Sequence, residues 1–188
     1  MTKKKENKLK CLCCDATVYQ SDLRRTLGRE VWIWGVTRKL EFADLVHGQY
    51  QFACDSCLES GRAIIGTPQR QLYCDFDPYL AFFDLNKTCE NCAKDYVFTK
   101  EEQQSWYEKL RFWVQSKPKY CADCRRKKRQ RKRMNKELSD ILSKKENLGI
   151  EDMERLSEIY KEINRPDKSQ YYQNLIEKYK RKTATNTA

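Results

Sequence analysis

Cys89-x2-Cys92 and Cys121-x2-Cys124 are two thiol pairs of one spacing, set 28 residues apart. Two residues between cysteines let one tight turn aim both sulfurs at the same ion. A second such pair completes a tetrahedron at about 2.3 Å per metal–sulfur bond. One Cys-x2-Cys alone leaves a redox dithiol open; two that flank a short segment point to a metal. Cys11, Cys13 and Cys14, with Cys54 and Cys57, form a less regular group. Its economical reading is Cys11-x2-Cys14 with Cys54-x2-Cys57. The 39-residue interval between those pairs is tolerable because loop-closure entropy grows slowly with length. Cys13 and Cys74 are left over. Either could substitute as a ligand, but a buried apolar cysteine is the default reading. His47, the only histidine, is not needed where four cysteines suffice.

The composition says why metals would matter. A mean hydropathy of -0.92 and 35% charged residues leave little apolar material for a large core. Eleven Tyr, seven Phe and four Trp argue against plain disorder, which is poor in aromatics. Small domains with thin cores need staples. The opening residues, MTKKKENKLKC, carry charge but no apolar signal-peptide region. No stretch approaches the roughly 18 apolar residues of a membrane span. A cytoplasmic protein without a membrane partner is therefore expected, and in a reducing compartment paired cysteines are metal ligands more often than disulfides. The expected cofactor is Zn2+ at two sites. A single iron or an iron–sulfur cluster also suits paired Cys-x2-Cys motifs.

The expected fold class is α+β: small zinc-stabilised ribbon or treble-clef modules with short strands, followed by a helical C-terminal tail. Four segments follow: a basic arm over 1–10, a β-rich zinc module over 11–80, a second zinc module with a basic helix over 81–133, and helices over 134–188. "EVWIWGV" reads as one strand, and "GQYQFAC" and "QRQLYCDF" as extended. "DYVFT" reads as a short strand. Thr99 and Glu102 have capping-box spacing before a helix with Trp106 and Leu110 on one face. Met134, Leu138, Ile141 and Leu142 form one helical stripe; Met153, Leu156, Ile159, Tyr160 and Ile163 a second; Tyr171, Tyr172, Leu175, Ile176 and Tyr179 a third. Pro166 separates the last two, with Asp167 and Gln170 at cap spacing, so these two helices should pair as an antiparallel hairpin.

Residues 84–129, "DLNKTCENCAKDYVFTKEEQQSWYEKLRFWVQSKPKYCADCRRKKR", resemble the probable zinc-ribbon domain of uncharacterised bacterial proteins. The matching features are the first Cys-x2-Cys, the "VFT-x-EEQ" helix entry, the aromatic "FW" and "KP-x-x-CADCR". The resemblance covers about a quarter of the chain. It implies a treble-clef-like zinc fold with four cysteine ligands and favours zinc over iron. It implies no enzyme activity and no defined partner.

Nine of the twelve residues from Arg125 to Lys136 are Lys or Arg. The net charge is +11, and two four-thiolate zinc sites, each adding about -2, leave it near +7. In a treble clef the second thiol pair opens a helix, and nearby cations offset thiolate charge. Some of the basic run has that plain reading. Nine cations exceed it, and phosphate backbones are their natural counterions. Arg125, Arg126, Lys127, Lys128, Arg129, Arg131, Lys132 and Arg133 are thus candidate contacts to RNA or DNA. No base-reading pattern or common RNA-module signature accompanies them. The expectation is a non-enzymatic zinc-binding module that contacts nucleic acid; the alternative is a protein–protein adaptor using the zinc modules and the helical hairpin. No paired carboxylates, Ser–His or Cys–His arrangement or phosphate loop suggests an enzyme.

Overall fold

The computed structural model describes residues 8–33, 35–144 and 147–185. Most of the basic arm (1–7) and the last three residues of the polar tail lie outside them. The chain forms two compact units, Met1–Cys121 and Ala122–Ala188.

The first unit is built from four antiparallel strand pairs. β1 (Leu9–Lys10) pairs with β2 (Thr17–Val18), and β3 (Glu30–Ile33) with β4 (Val36–Lys39). β5 (Ala63–Ile65) pairs with β6 (Ala81–Phe83), and β7 (Leu85–Thr88) with β8 (Asp95–Phe98). Three short helices join them: α1 (Phe42–His47), α2 (Asp55–Glu59) and α3 (Lys100–Gln104), the last running on into a π turn at Ser105–Lys109. A two-stranded ribbon is marginal in water unless it packs on something. Here the ribbons cover two apolar clusters. One contains Leu23, Val31, Leu40, Phe52 and Leu80 together with Cys11 and Cys57. The other is aromatic, built on Phe82, Phe98 and Tyr107.

Several sequence expectations change here. "EVWIWGV" is not one strand but the hairpin β3–β4, whose turn includes Gly35 at φ +87°, a conformation glycine adopts freely. "GQYQFAC" and "QRQLYCDF" supply only single bridges, Gln51 to Tyr79 and Leu72 to Trp113. Pro68 opens a tight 3-10 turn over Pro68–Arg70. The Gln71 side chain then takes the place of a strand partner: its amide donates to Tyr79 O at 2.8 Å and its oxygen accepts from Tyr79 N at 2.9 Å. α1 and α2 were not legible in advance. α3 is, and Thr99 Oγ1 accepts from Glu102 N at its start. Only half of its expected Trp106/Leu110 face packs: Trp106 is partly buried against the aromatic cluster, with Gln103 and Tyr107 buried beside it, while Leu110 is 61% exposed. The π turn breaks the 3.6-residue period on which that expectation rested.

The second unit consists of α4 (Ala122–Leu142), α5 (Ile150–Glu162) and α6 (Pro166–Thr185). Met134, Ile141, Met153, Leu156, Ile159, Tyr172 and Ile176 form its core. α5 and α6 are an antiparallel hairpin. Tyr160 stacks on Tyr172 at 5.7 Å, and Lys180 pairs with Glu154 at 3.2 Å. α5 ends on Asn164 at φ +61°, and Arg165 N bonds back to Tyr160 O at 2.8 Å, as in a Schellman turn. Pro166 is the first residue of α6 rather than a break ahead of it, a position where its missing N–H costs nothing. Asp167 therefore lies inside the first turn and pairs with Arg165 instead of capping. The Arg155 guanidinium forks onto the Glu137 carboxylate at 2.6 and 2.9 Å, tying α5 to α4. Leu142, Tyr171 and Tyr179 from the sequence stripes remain exposed. Among the described residues no helix is long and apolar enough to cross a membrane.

Candidate metal centres

Both Cys-x2-Cys knuckles are made by one backbone device. Between β1 and β2, Asp15 N donates to Cys11 O and Cys11 N donates to Ala16 O, each at 2.9 Å. Between β7 and β8, Ala93 N donates to Cys89 O and Cys89 N to Lys94 O, again at 2.9 Å. The residue after each second cysteine is left-handed: Asp15 at φ +57° and Ala93 at +56°. Each knuckle thereby closes as a tight loop at the tip of a ribbon.

The second pair of each set opens a helix. Cys54 caps α2 and Cys57 lies within it; Cys121 directly precedes α4 and Cys124 lies within its first turn. The backbone N–H of the helix-opening cysteine donates to the first sulfur of the opposite knuckle. Cys54 N reaches Cys11 Sγ at 3.2 Å, and Cys121 N reaches Cys89 Sγ at 3.3 Å.

The sulfurs of Cys11, Cys14, Cys54 and Cys57 lie within 4.8 Å of one another, as do those of Cys89, Cys92, Cys121 and Cys124. Individual separations are 3.9 Å for Cys11–Cys57, 4.0 Å for Cys14–Cys54 and 3.9 Å for Cys92–Cys121. A disulfide holds its sulfurs near 2.05 Å. A tetrahedron of thiolates about 2.3 Å from a central ion has edges of about 3.8 Å. The spacing is that of ligands around an ion, and an all-thiolate tetrahedral set is consistent with zinc. Both groups could hold a metal ion.

The N–H donors have an electrostatic consequence. Burial works against ionisation of Cys89, but the backbone N–H groups of Cys121, Asn91 and Cys92 outweigh it and bring the thiol down to about 6. Burial likewise opposes ionisation of Cys11, yet N–H groups of Cys54, Cys13 and Cys14 pull it below the ordinary cysteine value. Burial pushes Cys54 and Cys57 up. Each centre thus has one thiol, the first of its knuckle, prepared for ionisation by the fold.

Three tyrosines position the second centre. The segment between the π turn and Cys121 has no regular structure, but three of its carbonyls accept hydroxyl bonds. Tyr79 donates to Val114 O at 2.6 Å, Tyr107 to Ser116 O at 3.0 Å and Tyr96 to Pro118 O at 2.7 Å. Glu90 N donates to Lys119 O at 3.0 Å. The aromatic cluster therefore carries the strand of chain that delivers Cys121. Sequence reasoning missed these tyrosines, because nothing in the local pattern connects them to carbonyls up to 35 residues away.

The leftover groups join neither metal set among the described residues. Cys13 is half-buried beside the first core, and its thiol is raised by burial. Cys74 is exposed, against the expectation of a buried cysteine; it lies in a bend beyond the Pro68 turn rather than in a strand. His47 is exposed at the end of α1.

The basic run lies on α4. Arg126–Arg133 is exposed throughout, and Arg125 is half-buried. Arg126 pairs with Asp123 at 3.7 Å. Among the described residues no ion pair reaches Lys127, Arg129, Arg131, Lys132 or Arg133.

No curated protein and no solved structure matches the chain. Residues 83–133 match the model of a family described as a probable treble clef domain, and the knuckle, ribbon and helix around the second four-cysteine group are consistent with such a domain.

Proposed function

We propose that both centres hold zinc and that the chain is a non-enzymatic cytoplasmic binding protein whose helix α4 contacts the phosphate backbone of nucleic acid. Segregation of charge carries this reading. Residues 122–188 contain 19 Lys and Arg against 11 Asp and Glu, while residues 8–121 contain 16 against 15. Most of the net charge, +8 of +11, thus lies in residues 122–188, and its densest part is the exposed Arg126–Arg133. A surface of that kind condenses with phosphates by releasing their counterions.

Metal analysis of the purified protein should give two zinc ions per chain and no colour; an iron chromophore would overturn the metal assignment. Binding to nucleic acid, followed by fluorescence anisotropy, should weaken steeply between 50 and 200 mM salt. Replacing Arg129, Arg131, Lys132 and Arg133 together with Gln should remove it while zinc content stays at two. Unchanged binding by that variant would end the proposal. A second reading, a protein-docking adaptor, is favoured by one observation: Tyr171 and Tyr179 of α6 are 57% and 49% exposed. It predicts that removing residues 150–188 loses partner proteins while nucleic-acid binding persists.

A further inference from the structure

We infer that the nucleic acid contacted by α4 is a DNA duplex and that the basic segment enters its major groove; this rests on the reading of α4 as a phosphate-binding helix. The arrangement of charge about the helix axis separates the alternatives. At about 100° per residue, Lys127, Arg129, Arg131, Lys132 and Arg133, which no ion pair reaches among the described residues, leave no arc wider than about 120° uncovered. Lys127 and Arg131 follow the line of buried Met134 and Ile141, whereas Arg129 and Lys132 project from the opposite side.

A helix lying against one phosphate strand needs cations on one face only. Cations on its other faces would then meet one another, and like charges four residues apart destabilise a helix. A groove places a phosphate strand along each of two flanks, so cations on opposite sides of the helix both find counterions.

The segment is also free to enter one. Arg126–Arg133 is exposed throughout, between half-buried Cys124 and Arg125 on one side and buried Met134 on the other. On the Lys127 side, the surface between α4 and the Glu162–Asn164 turn is an open cleft of about 350 Å³, also lined by Gln130 and Arg131. An α-helix is about 10–12 Å across with its side chains, a diameter that the roughly 12 Å-wide B-DNA major groove admits. The A-form RNA major groove is too deep and narrow to admit a helix.

The test uses the full zinc-loaded chain and three probes of one sequence and length: a 20-base-pair DNA duplex, its single strand, and the RNA duplex. Anisotropy at 0.15 M salt should show the DNA duplex bound at least tenfold more tightly than either other probe. Two paired variants read the faces separately: Lys127→Gln with Arg131→Gln, and Arg129→Gln with Lys132→Gln. Groove entry predicts that each pair lowers the slope of log K against log salt by about 1.8, which is about thirtyfold in affinity at 0.15 M. Equal binding of all three probes, preference for single strands or RNA, or an effect confined to one pair would overturn groove entry and leave phosphate binding by α4 standing. Absence of binding to every probe would overturn both.

Discussion

Removing the metals should unfold the first unit and spare the second. Among its described residues the first unit has four two-stranded ribbons and three helices of five or six residues, none of which is stable alone. Its main core includes Cys11, Cys54 and Cys57 themselves, so the first centre and the core are one structure. A structural zinc is worth about 10–16 kcal/mol of apparent binding free energy in zinc-finger peptides, and a whole domain is typically stable by only about 5–15 kcal/mol. Loss of two ions therefore exceeds the margin. The second unit keeps its own apolar core on α4, α5 and α6. Two optical signals separate the units. All four tryptophans, Trp32, Trp34, Trp106 and Trp113, lie before residue 122, so indole emission reports the first unit. Helices of 21, 13 and 20 residues lie in the second, so ellipticity at 222 nm reports it. A strong chelator should move tryptophan emission to longer wavelength while most of the 222 nm signal persists. Unchanged emission, in protein shown by metal analysis to be empty, would refute the reasoning.

Gln103 is buried and its side-chain amide donates to Phe83 O at 2.6 Å and Phe98 O at 2.8 Å; Gln103→Met strands both carbonyls, which should cost about 2–5 kcal/mol and lower the melting temperature by roughly 8 °C or more, with zinc content unchanged. A melting curve within a degree of wild type would contradict that role. Cys57→Ser and Cys89→Ser should each reduce the metal count from two to one, because the two thiol sets share no residue.

The two four-thiol groups are legible in the sequence because Cys-x2-Cys is a local signal, and the three C-terminal helices because their apolar period is long and regular. What the sequence hides is long-range or backbone-borne. The left-handed turns at Asp15 and Ala93 carry no glycine to announce them. The tyrosine hydroxyls that hold Val114, Ser116 and Pro118 act on carbonyls, which are the same in every residue. Gln71 imitates a strand partner with its side chain, so "QRQLYCDF" has extended composition without a strand. The π turn removes Leu110 from the face that a regular helix would give it. The β3–β4 hairpin is a different case: Gly35 is visible, but the apolar alternation on either side masks the turn.

The chain contains its own control for the basic helix. One explanation of cations after Cys124 is that four thiolates around a dication need positive charge nearby. The first centre has the same knuckle hydrogen bonds, the same left-handed residue and the same N–H to sulfur contact. Its helix α2 reads Asp-Ser-Cys-Leu-Glu, with two acids and no cation. The Asp55 carboxylate there accepts from Arg24 N and Arg25 N at 2.9 and 3.1 Å, and so serves the fold rather than the sulfurs. A four-cysteine centre of this geometry is thus built beside a negative helix. Backbone N–H groups supply polarity there, Cys54 N donating to Cys11 Sγ at 3.2 Å. The metal site then does not account for the exposed cations Lys127, Arg129, Arg131, Lys132 and Arg133, which no ion pair reaches among the described residues, and their mutual repulsion favours the proposed anionic partner.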